Sequence, residues 1–375
     1  MMGRSSIKTK IRNGLKEASK SLLFPLLFRV YCLRYPKVDS KKIVFADAHH
    51  ESLPEEMKPL YKMLKQRGYP VITLIHDFKT ISFFESLREI SRFLCHYATA
   101  ETVILCDYYL PAISVKKRKA TRVVQLWHAC GAFKKFGYDA EDDLGWMKNQ
   151  NMFKNFDLVA VSSKACEKIY AGAFHIPRER VKALGVARTD RYFQEDFIET
   201  CKTQFYEQYP EAKGKKILLW APTFRKSATE AGVIGLSEIL WLKEQLSKEW
   251  IVLIKLHPHS EKQKKISNCE IKTEQLYPVI DLLVTDYSSV IFDFALTGKP
   301  MLFYLPDLSQ YQNERGFYLS LDELPGKQIQ KKEELLRCIK AQDYQIGEQR
   351  YQAFVRKYLE QCDGHATERI LQEIL

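Results

Sequence analysis

The chain of 375 residues is 46% hydrophobic and carries a formal net charge of +12, with 58 Lys and Arg against 46 Asp and Glu. This length and apolar content allow two ordinary domains with sizeable cores. Nine cysteines are scattered without CxxC pairs, which argues against a disulfide scaffold or a zinc module and indicates buried thiols in a reducing compartment.

The excess positive charge is concentrated in the N-terminal segment 1–40. Residues 1–42 hold eleven Lys or Arg residues against two acidic ones. Apolar residues recur between them at helical spacing and can share one face: Ile7, Ile11, Leu15, Leu22 and Leu26. Pro25 must break or kink such a helix. The pattern predicts a basic amphipathic segment that lies on an anionic membrane surface, and docking of this segment on its own domain is the alternative.

The apolar run within this segment, residues 22–33, is too short to span a bilayer, which takes roughly twenty residues. The basic region before it is long and no small-residue cleavage site follows, so a signal peptide is not expected. Outside the segment the sequence has neither basic stripes interleaved with aromatic residues nor a helix-turn-helix pattern. Nucleic acid is therefore not an expected partner.

A regular alternation of strands and helices predicts an α/β domain over residues 41–193. Short apolar runs predict strands, and longer stretches between them predict helices. The predicted strands are 43–46, 71–75, 102–105, 123–127 and 157–162, and the predicted helices are 55–67 and 83–95. Residues 185–193 are the predicted exit from this domain, and residues 194–213 are a predicted helical linker.

His128 is the first residue after the predicted strand 123–127 and enters a loop that contains Gly131. The carboxyl ends of strands are where ligands and catalytic groups lie in α/β folds. Lys134 and Lys135 follow closely enough to meet an anion. His128 is therefore a candidate catalytic residue, although a single histidine at this place could equally be structural.

The second predicted domain, residues 214–345, begins with two strands that each lead into polar residues. The strands are 216–221 and 250–256. The polar residues that follow them are Thr223, Arg225, His257 and Pro258.

Residues 276–305 have the pattern of a strand, a polar turn, a helix, a Gly-Pro break and a strand, which is a βαβ unit of a parallel sheet. Its turn and first helical turn carry Asp286, Ser288, Ser289 and Asp293. Hydroxyl groups and free backbone N–H groups at a helix start suit a phosphate. The alternative is that a serine only caps the helix and Asp286 only belongs to the turn.

Three successive strands are thus expected to deliver Arg225, His257 and the Ser288-Ser289 pair to one edge of one sheet. A guanidinium, an imidazole and helix-terminal hydroxyls can cradle a diphosphate. The chain lacks both the GxxxxGK[ST] motif of P-loop NTPases and a strand-borne GxGxxG fingerprint. The HxH pattern at 257–259 is interrupted by a proline and has no third ligand, so we expect no bound metal.

Several motifs occur in a characteristic order: Trp127-His128 with its glycine loop, APTFR at 221–225, KLHPH at 255–259, TDYSSVIFDFALTGKPMLFY at 285–304 and RGFY at 315–318. The segments GVARTD at 185–190 and DGHATERI at 363–370 belong to the same set. Together they resemble the CDP-glycerol glycerophosphotransferase family, whose primases and polymerases build teichoic acids in Gram-positive bacteria. The resemblance spans roughly residues 40–372.

The resemblance implies a GT-B architecture, in which two Rossmann-like domains with parallel sheets face each other across a cleft. It also implies a C-terminal helix, residues 346–375, that crosses back to the first domain. The first domain would receive the acceptor and the second would hold CDP-glycerol. No cofactor is implied, because basic groups and helix N-termini take the place of a metal in GT-B enzymes.

The implied reaction moves glycerol phosphate from CDP-glycerol to a polyprenyl-linked disaccharide and releases CMP. An acceptor hydroxyl attacks the β-phosphorus, so catalysis needs positioning, charge neutralisation and a base. By resemblance the catalytic residues are His128, as the base, and His257, which stabilises the leaving group. The donor side would comprise Thr223, Arg225, His257, Pro258, Ser288 and Ser289, with Asp286 and Asp293 orienting their loop. The acceptor side would comprise Gly131, Lys134 and Lys135.

Polymerase members commonly have WHGTP where this chain has His128-Ala129-Cys130-Gly131-Ala132. This departure, together with the short chain, predicts a primase. A polymerase, a ribitol donor, a GT-B glycosyltransferase that uses a nucleotide sugar and a membrane adaptor without activity are the alternatives. The expected location is the cytoplasmic face of the cell membrane as a peripheral protein, and a homo-oligomer is left open.

Overall fold

A computed structural model describes residues 17, 19–140, 144, 151–223, 233–256, 269–309 and 316–375. The chain divides into two compact units. The first unit consists of Met1–His128, Phe136–Arg188 and His365–Leu375, and the second of Ala129–Lys135 and Thr189–Gly364. Each unit therefore contains segments that are distant in the sequence.

The chain enters the first unit through an N-terminal helix. Residues Ser19–Leu23 form one π-helical turn, and helix α1 covers Phe24–Arg34. Pro25 lies in the first turn of α1, directly after the π-helical turn, where the helix changes from π to α geometry. The proline thus stands at the start of an α-helix and does not kink its interior. Three residues of the predicted amphipathic face lie outside the described residues: Ile7, Ile11 and Leu15.

The first unit is built on a parallel sheet with the strand order β2-β1-β3-β4-β5-β6. The strands are Asp39–Asp47 (β1), Val71–Ile75 (β2), Ala100–Leu105 (β3), Arg122–Gln125 (β4), Leu158–Val161 (β5) and Val181–Ala183 (β6). All neighbouring pairs are parallel. The predicted α/β fold is confirmed. Strand β6 was not predicted, because its three residues contain no apolar run.

Helices connect the strands of this sheet. They are Lys58–Gln66 (α2), Phe83–Tyr97 (α3), Leu110–Ile113 (α4) and Lys164–Phe174 (α5), with 3-10 turns at Gly137–Asp139 and Arg178–Arg180. Helix α3 begins with a capping box between Ser82 and Glu85, in which each side chain accepts a hydrogen bond from the other residue's backbone N–H. This signal fixes the start of α3 at the predicted residue.

The second unit contains a second parallel sheet, with the strand order β11-β10-β9-β7-β8. Its strands are Lys216–Ala221 (β7), Trp250–Ile254 (β8), Leu282–Thr285 (β9), Met301–Tyr304 (β10) and Gly326–Ile329 (β11). All neighbouring pairs are parallel. Strand β7 lies between β8 and β9, so the three strands that precede the predicted donor-side residues are neighbours.

Helices of the second unit frame this sheet. They are Glu195–Gln208 (α6), Leu236–Leu246 (α7), Thr273–Leu276 (α8), Val290–Ala295 (α9), Lys332–Lys340 (α10) and Glu348–Tyr358 (α11), with 3-10 turns at Ala187–Phe193, Pro210–Ala212 and Leu321–Glu323. Apolar side chains from α7 and α10 are buried against the sheet, among them Ile239, Leu242, Leu335 and Ile339.

The C-terminal region differs from the single helix predicted for residues 346–375. Helix α11 ends at Tyr358, and a separate helix, Ala366–Ile374 (α12), follows. Gly364 lies between them with a φ of 92°, a left-handed conformation that glycine adopts without steric cost. Helix α12 belongs to the first unit, where Ile370 and Leu371 are buried in the same core cluster as Phe45.

The division into units also differs from the predicted boundaries. The second unit begins at Thr189, within the predicted exit 185–193, and it takes in Ala129–Lys135 from the predicted first domain. Among the helices that the structure describes, none has both the length and the apolar character needed to cross a bilayer.

Candidate functional site

The turn that carries His128 is fixed by a buried glutamine. Strand β4 ends at Gln125, two residues earlier than predicted, and Trp127 has a φ of 57°. The Gln125 side chain accepts a hydrogen bond from the Trp127 N–H at 2.9 Å and donates one to the Asp107 carbonyl at 3.2 Å. A left-handed conformation at a bulky residue costs about 1–3 kcal/mol, so the surroundings must hold it. Sequence reasoning missed this turn because a Val-Val-Gln-Leu-Trp run resembles a continuous strand.

The His128 imidazole is held between an aromatic ring and a carboxylate. Its ring stacks on Trp127 with centroids 4.4 Å apart, and its Nδ1 lies 3.5 Å from Asp107 Oδ2. The Tyr108 N–H donates to Asp107 Oδ1 at 2.6 Å, which orients the carboxylate. The His128 side chain is 47% exposed. An exposed imidazole with Nδ1 facing a carboxylate can accept a proton at Nε2, as a general base requires.

A second histidine stands at the same edge of the first sheet. Asp47, the last residue of β1, is only 2% exposed and accepts hydrogen bonds from His50 Nδ1 at 2.9 Å and from the His49 N–H at 2.7 Å. Burial opposes ionisation of Asp47, but these hydrogen bonds outweigh it and the pKa of Asp47 is lowered. The hydrogen bond to Asp47 raises the pKa of His50. A hydrogen-bonded carboxylate–imidazole pair therefore stands next to the strand that leads to Asp107, and its carboxylate favours the protonated imidazole.

Sequence reasoning also missed this pair. The segment Ala-Asp-Ala-His-His at residues 46–50 could have predicted it, because these polar residues follow an apolar strand in the same way as His128 does. Cys106 also contacts this pair, with its Sγ 3.6 Å from Asp47 Oδ1. Burial raises the pKa of the Cys106 thiol, which therefore stays protonated and neutral beside the carboxylate.

The predicted acceptor-side residues after His128 group with the second unit and not with the first. Lys134 forms an antiparallel bridge with Phe317, and the Lys135 N–H donates to the Gly316 carbonyl at 3.0 Å. The Tyr318 N–H donates to the Phe133 carbonyl at 2.9 Å. Gly131 has a φ of 65°, and a Cβ there would approach the Phe292 ring to 2.3 Å. This backbone pairing explains why the loop leaves the predicted first domain.

At the carboxyl edge of the second sheet, hydrogen bonds join the ends of two strands. The Thr223 N–H, just beyond β7, donates to Asp286 Oδ1 at 2.8 Å, just beyond β9. The Thr285 hydroxyl donates to the Ala221 carbonyl at 2.6 Å. Asp286 is buried and thus positions the backbone at the end of β7. Three predicted donor-side residues, Arg225, His257 and Pro258, lie outside the described residues.

The turn before α9 carries the remaining predicted donor-side residues. Ser289 precedes α9, and its side chain makes no capping hydrogen bond within the part of the chain that the structure describes. The Val290 N–H lies 3.5 Å from Ser288 Oγ. Asp293 is buried in the first turn of α9, and buried Tyr287 stacks on Phe317 with centroids 5.3 Å apart. The structure thus brings Thr223, Asp286 and the two serines to one edge of the second sheet.

No group of three or more His, Cys, Asp or Glu residues suited to a metal ion is found within the described ranges. The polar groups at both sheet edges are those that bind and move protons: imidazoles, carboxylates and hydroxyls.

Comparisons with known proteins place these features in a family. Residues 27–375 match the model of the family described as CDP-glycerol:poly(glycerophosphate) glycerophosphotransferase. The chain is 34% identical to the teichoic acid ribitol-phosphate primase of Bacillus spizizenii, over 96% of this chain and 95% of that protein. It is 31% identical to the teichoic acid glycerol-phosphate primase of Bacillus subtilis, over 73% of each.

A solved structure shares the fold over nearly the whole chain. A histidine variant of the wall teichoic acid polymerase TagF, soaked with CDPG, superposes with a TM-score of 0.75 and 20% identity. The superposition covers 98% of this chain and 97% of that one. The two-sheet α/β architecture is therefore that of TagF.

Proposed function

The chain belongs to the CDP-glycerol:poly(glycerophosphate) glycerophosphotransferase family, and we propose that it transfers an alditol phosphate from a CDP-alditol to a lipid-linked acceptor in teichoic acid synthesis. The family match extends over residues 27–375. The observation that carries the proposal is the exposed His128 imidazole, which is oriented by Asp107 at the carboxyl edge of the first sheet. A base in this position suits the activation of a hydroxyl group. A nucleotide-sugar transferase and a non-enzymatic adaptor are not favoured by the family assignment.

In the proposed reaction the acceptor hydroxyl loses its proton to His128 Nε2 as its oxygen forms a bond to the β-phosphorus of the donor. The bond between that phosphorus and the CMP oxygen breaks, and CMP leaves with the negative charge. Asp107, facing Nδ1, would stabilise the imidazolium that forms. Phosphoryl transfer of this kind relies mainly on positioning and charge stabilisation.

We assign the donor to the second unit. Thr223 and Asp286 fix the ends of β7 and β9, and Ser288 and Ser289 stand at the start of α9. In the sequence Arg225 follows β7 and His257 follows β8, and these two strands are neighbours in this sheet. Charged and hydroxyl donors from three neighbouring strands can neutralise a diphosphate.

The identity of the alditol separates two candidates. The motifs resemble a family named for CDP-glycerol but do not separate a glycerol donor from a ribitol donor, and the relative that aligns over 95% of its own length is a ribitol-phosphate primase. The test is CMP release by the purified protein with CDP-glycerol or CDP-ribitol and a detergent-soluble lipid disaccharide. A second acceptor that already carries one alditol phosphate separates a primase from a polymerase. If neither donor releases CMP with either acceptor, the proposed function is wrong.

Replacing Arg225 or His257 by alanine is expected to weaken the binding of CDP about tenfold or more. Each substitution removes a charge-assisted hydrogen bond to the diphosphate, which is worth about 1.5–3 kcal/mol. Isothermal titration calorimetry with CDP measures the change. Arg337→Ala is the matched control, since Arg337 is exposed on α10 of the same unit. Unchanged CDP affinity in both site variants would remove these residues from the donor site.

We also propose that the protein docks on the cytoplasmic face of the membrane as a peripheral protein, through the outer face of α1. The inner face of α1 packs on the first unit: Phe28 is buried with its ring 5.2 Å from Tyr97, and the Tyr31 hydroxyl is 2.6 Å from Ser91 Oγ. The outer face carries exposed apolar side chains at helical spacing, namely Leu22, Leu26, Val30 and Leu33. Exposed Arg29 and Arg34 flank them. Apolar residues with cations between them suit the interface of an anionic bilayer.

The protein is expected to sediment with anionic vesicles at low salt and to be partly released near 1 M salt. The electrostatic part of the attraction is screened over about 10 Å at 0.1 M salt and about 3 Å at 1 M. The double substitution of Leu26 and Leu33 by glutamate should abolish most of the binding at low salt. Vesicle sedimentation at both salt concentrations measures the bound fraction.

Point substitutions are preferable to a chain that begins near Ser40, because such a chain would lose the packing of Phe24 and Phe28 on the first unit. The matched control is Leu240→Glu, which places a charge at an exposed leucine of α7 in the second unit. Equal sedimentation of the double variant and the control variant would exclude the outer face of α1 as the docking surface.

A further inference from the structure

Three neighbouring strands of the first sheet end in one group of ionisable side chains. The strands β1, β3 and β4 are adjacent and parallel, and they are followed by the Asp47–His50 pair, by Asp107 and by His128. Asp107 follows β3, which lies between β1 and β4, and it acts electrostatically on both histidines. It lies 3.5 Å from His128 Nδ1, and its charge also raises the pKa of His50. The Asp47–His50 pair therefore stands in the same group as the proposed base and has no part in the reaction steps given above.

Asp47 holds His50 in a fixed position from within the protein. The carboxylate of Asp47 is almost fully buried, while the His50 side chain is 47% exposed, and the two are joined by the 2.9 Å hydrogen bond to Nδ1. With Nδ1 engaged, Nε2 of a protonated imidazole is a hydrogen-bond donor. A buried carboxylate is costly to desolvate, and perturbed pairs of this kind are concentrated at functional sites.

The charges of the group favour a hydroxyl-rich ligand over a phosphate. Three carboxylates, from Asp47, Glu56 and Asp107, act on His50, and the guanidinium of Arg188 lies 3.3 Å from Glu56. This excess of carboxylates repels an anion. A carboxylate that accepts hydrogen bonds beside an imidazolium that donates them matches a hydroxyl group, which does both.

We propose that His50, positioned by Asp47, and Asp107 bind the hydroxyl-rich carbohydrate end of the acceptor beside His128. The inference rests on the proposed function, since it concerns the acceptor of the same reaction. In this arrangement His50 Nε2 donates to one acceptor hydroxyl oxygen and the Asp107 carboxylate accepts from a neighbouring hydroxyl. The attacking hydroxyl is thereby held at the imidazole that removes its proton. Such a ligand is either the sugar of a lipid disaccharide or a terminal alditol, and the two share this chemistry.

The first test is the affinity of the full-length protein for the acceptor, measured without donor. A disaccharide on a short-chain, detergent-soluble diphosphate lipid is titrated calorimetrically, and a second titration uses the same compound with one alditol phosphate added. His50→Ala should weaken the affinity for the preferred compound about ten- to a hundredfold, because a charge-assisted hydrogen bond is lost. His50→Gln should restore part of it, since an amide N–H can still donate. CDP affinity should be unchanged in both variants.

The second test uses pH and distinguishes a binding role from a structural one. The charged groups that face His50 are Asp47 from β1, Glu56 from the segment before α2 and Asp107 after β3. Asp47→Asn removes the carboxylate that keeps the proton on His50. As the pH rises, His50 loses its proton and with it the ability to donate from Nε2. This loss should occur at a lower pH in Asp47→Asn, so acceptor affinity should begin to fall at a lower pH than in the wild type.

His96→Gln is the matched control. His96 lies on α3, and its pKa is lowered by burial and by the charge of Lys42. Lys42 belongs to the first half of β1, whereas the Asp47–His50 pair stands at the end of that strand. Wild-type acceptor affinity in His50→Ala, or the same pH dependence in Asp47→Asn as in the wild type, would overturn the inference. The protein could also bind the acceptor through His50 and yet release CMP from neither CDP-alditol. That result would support the inference and contradict only the proposed function.

Discussion

His128→Ala is expected to lower the turnover of alditol phosphate transfer by about a hundredfold or more. General base catalysis typically contributes a factor of about 10²–10⁴. Alanine removes the Nε2 that would accept the acceptor proton, while Trp127 and Gln125 keep the turn in place through their own hydrogen bond. The fold should therefore persist, because the lost side chain is half exposed. Steady-state CMP release at saturating donor and acceptor measures the effect.

Donor affinity provides the first check on this prediction. The base serves the acceptor, so CDP binding to His128→Ala should equal that of the wild type. His96→Ala, a histidine variant on α3 of the same unit, should retain wild-type turnover. If His128→Ala turned over donor at a near-normal rate, His128 would be a structural residue of the turn.

A companion substitution, Asp107→Asn, tests the orientation of the base. The asparagine keeps the size of the side chain but removes the negative charge 3.5 Å from Nδ1. The negative charge would stabilise the imidazolium that forms as the base takes the acceptor proton, so its removal should reduce kcat at saturating acceptor. An unchanged kcat with a raised KM for the acceptor would limit Asp107 to the acceptor-binding role proposed for it.

The sequence predicted most of the strands because parallel strands are buried on both faces and thus form short apolar runs. Strands β2 and β7 have the predicted bounds, and β1, β3, β5 and β8 differ from theirs by a few residues at the ends. Strand β11 was missed because its sequence, Gly-Lys-Gln-Ile, contains no apolar run. Edge strands need fewer buried residues, so the pattern is weakest there.

The sequence could place His128 and the serines near strand ends but could not provide their contacts. The left-handed turn at Trp127 depends on Gln125, whose side chain is held by the Asp107 carbonyl 18 residues earlier in the chain. Such a tertiary hydrogen bond has no local signature. The pairing of Lys134 with Phe317 is similar: residues 129–135 show no strand pattern, and the contact with residues 316–318 is made with a distant part of the sequence.

The C-terminal helices illustrate a third limit. The family resemblance implied one helix over residues 346–375, whereas Gly364 separates α11 from α12. A Cβ at Gly364 would lie 3.1 Å from the Phe193 side chain, so the residue meets both a backbone requirement and a close contact. A glycine near the end of a helical pattern is a stop signal, so the residues themselves indicate a break that the resemblance did not.

Gly131→Ala is expected to lower the free energy of unfolding of the second unit by about 2–5 kcal/mol. The left-handed φ of 65° costs a residue with a side chain about 1–2 kcal/mol. A steric clash adds about 1–3 kcal/mol, because the new Cβ would lie 2.3–2.5 Å from three carbons of the Phe292 ring. That ring cannot easily move, since it is fully buried and stacks on Phe354 with centroids 5.5 Å apart. Denaturant unfolding monitored by fluorescence, with thermal scans beside it, measures the loss.

Gly214→Ala separates the two contributions. Gly214 lies in the same unit with a φ of 81°, and a Cβ there would meet no atom within 4 Å, so only the backbone cost applies. The double variant Gly131→Ala with Phe292→Ala should be less destabilised than the sum of its single variants, because the clash disappears with the ring. Turnover should fall in Gly131→Ala as well, since the loop begins directly after His128 and its displacement disturbs the turn that positions the base. A Gly131→Ala protein as stable as Gly214→Ala would show that the loop does not pack on Phe292 in solution.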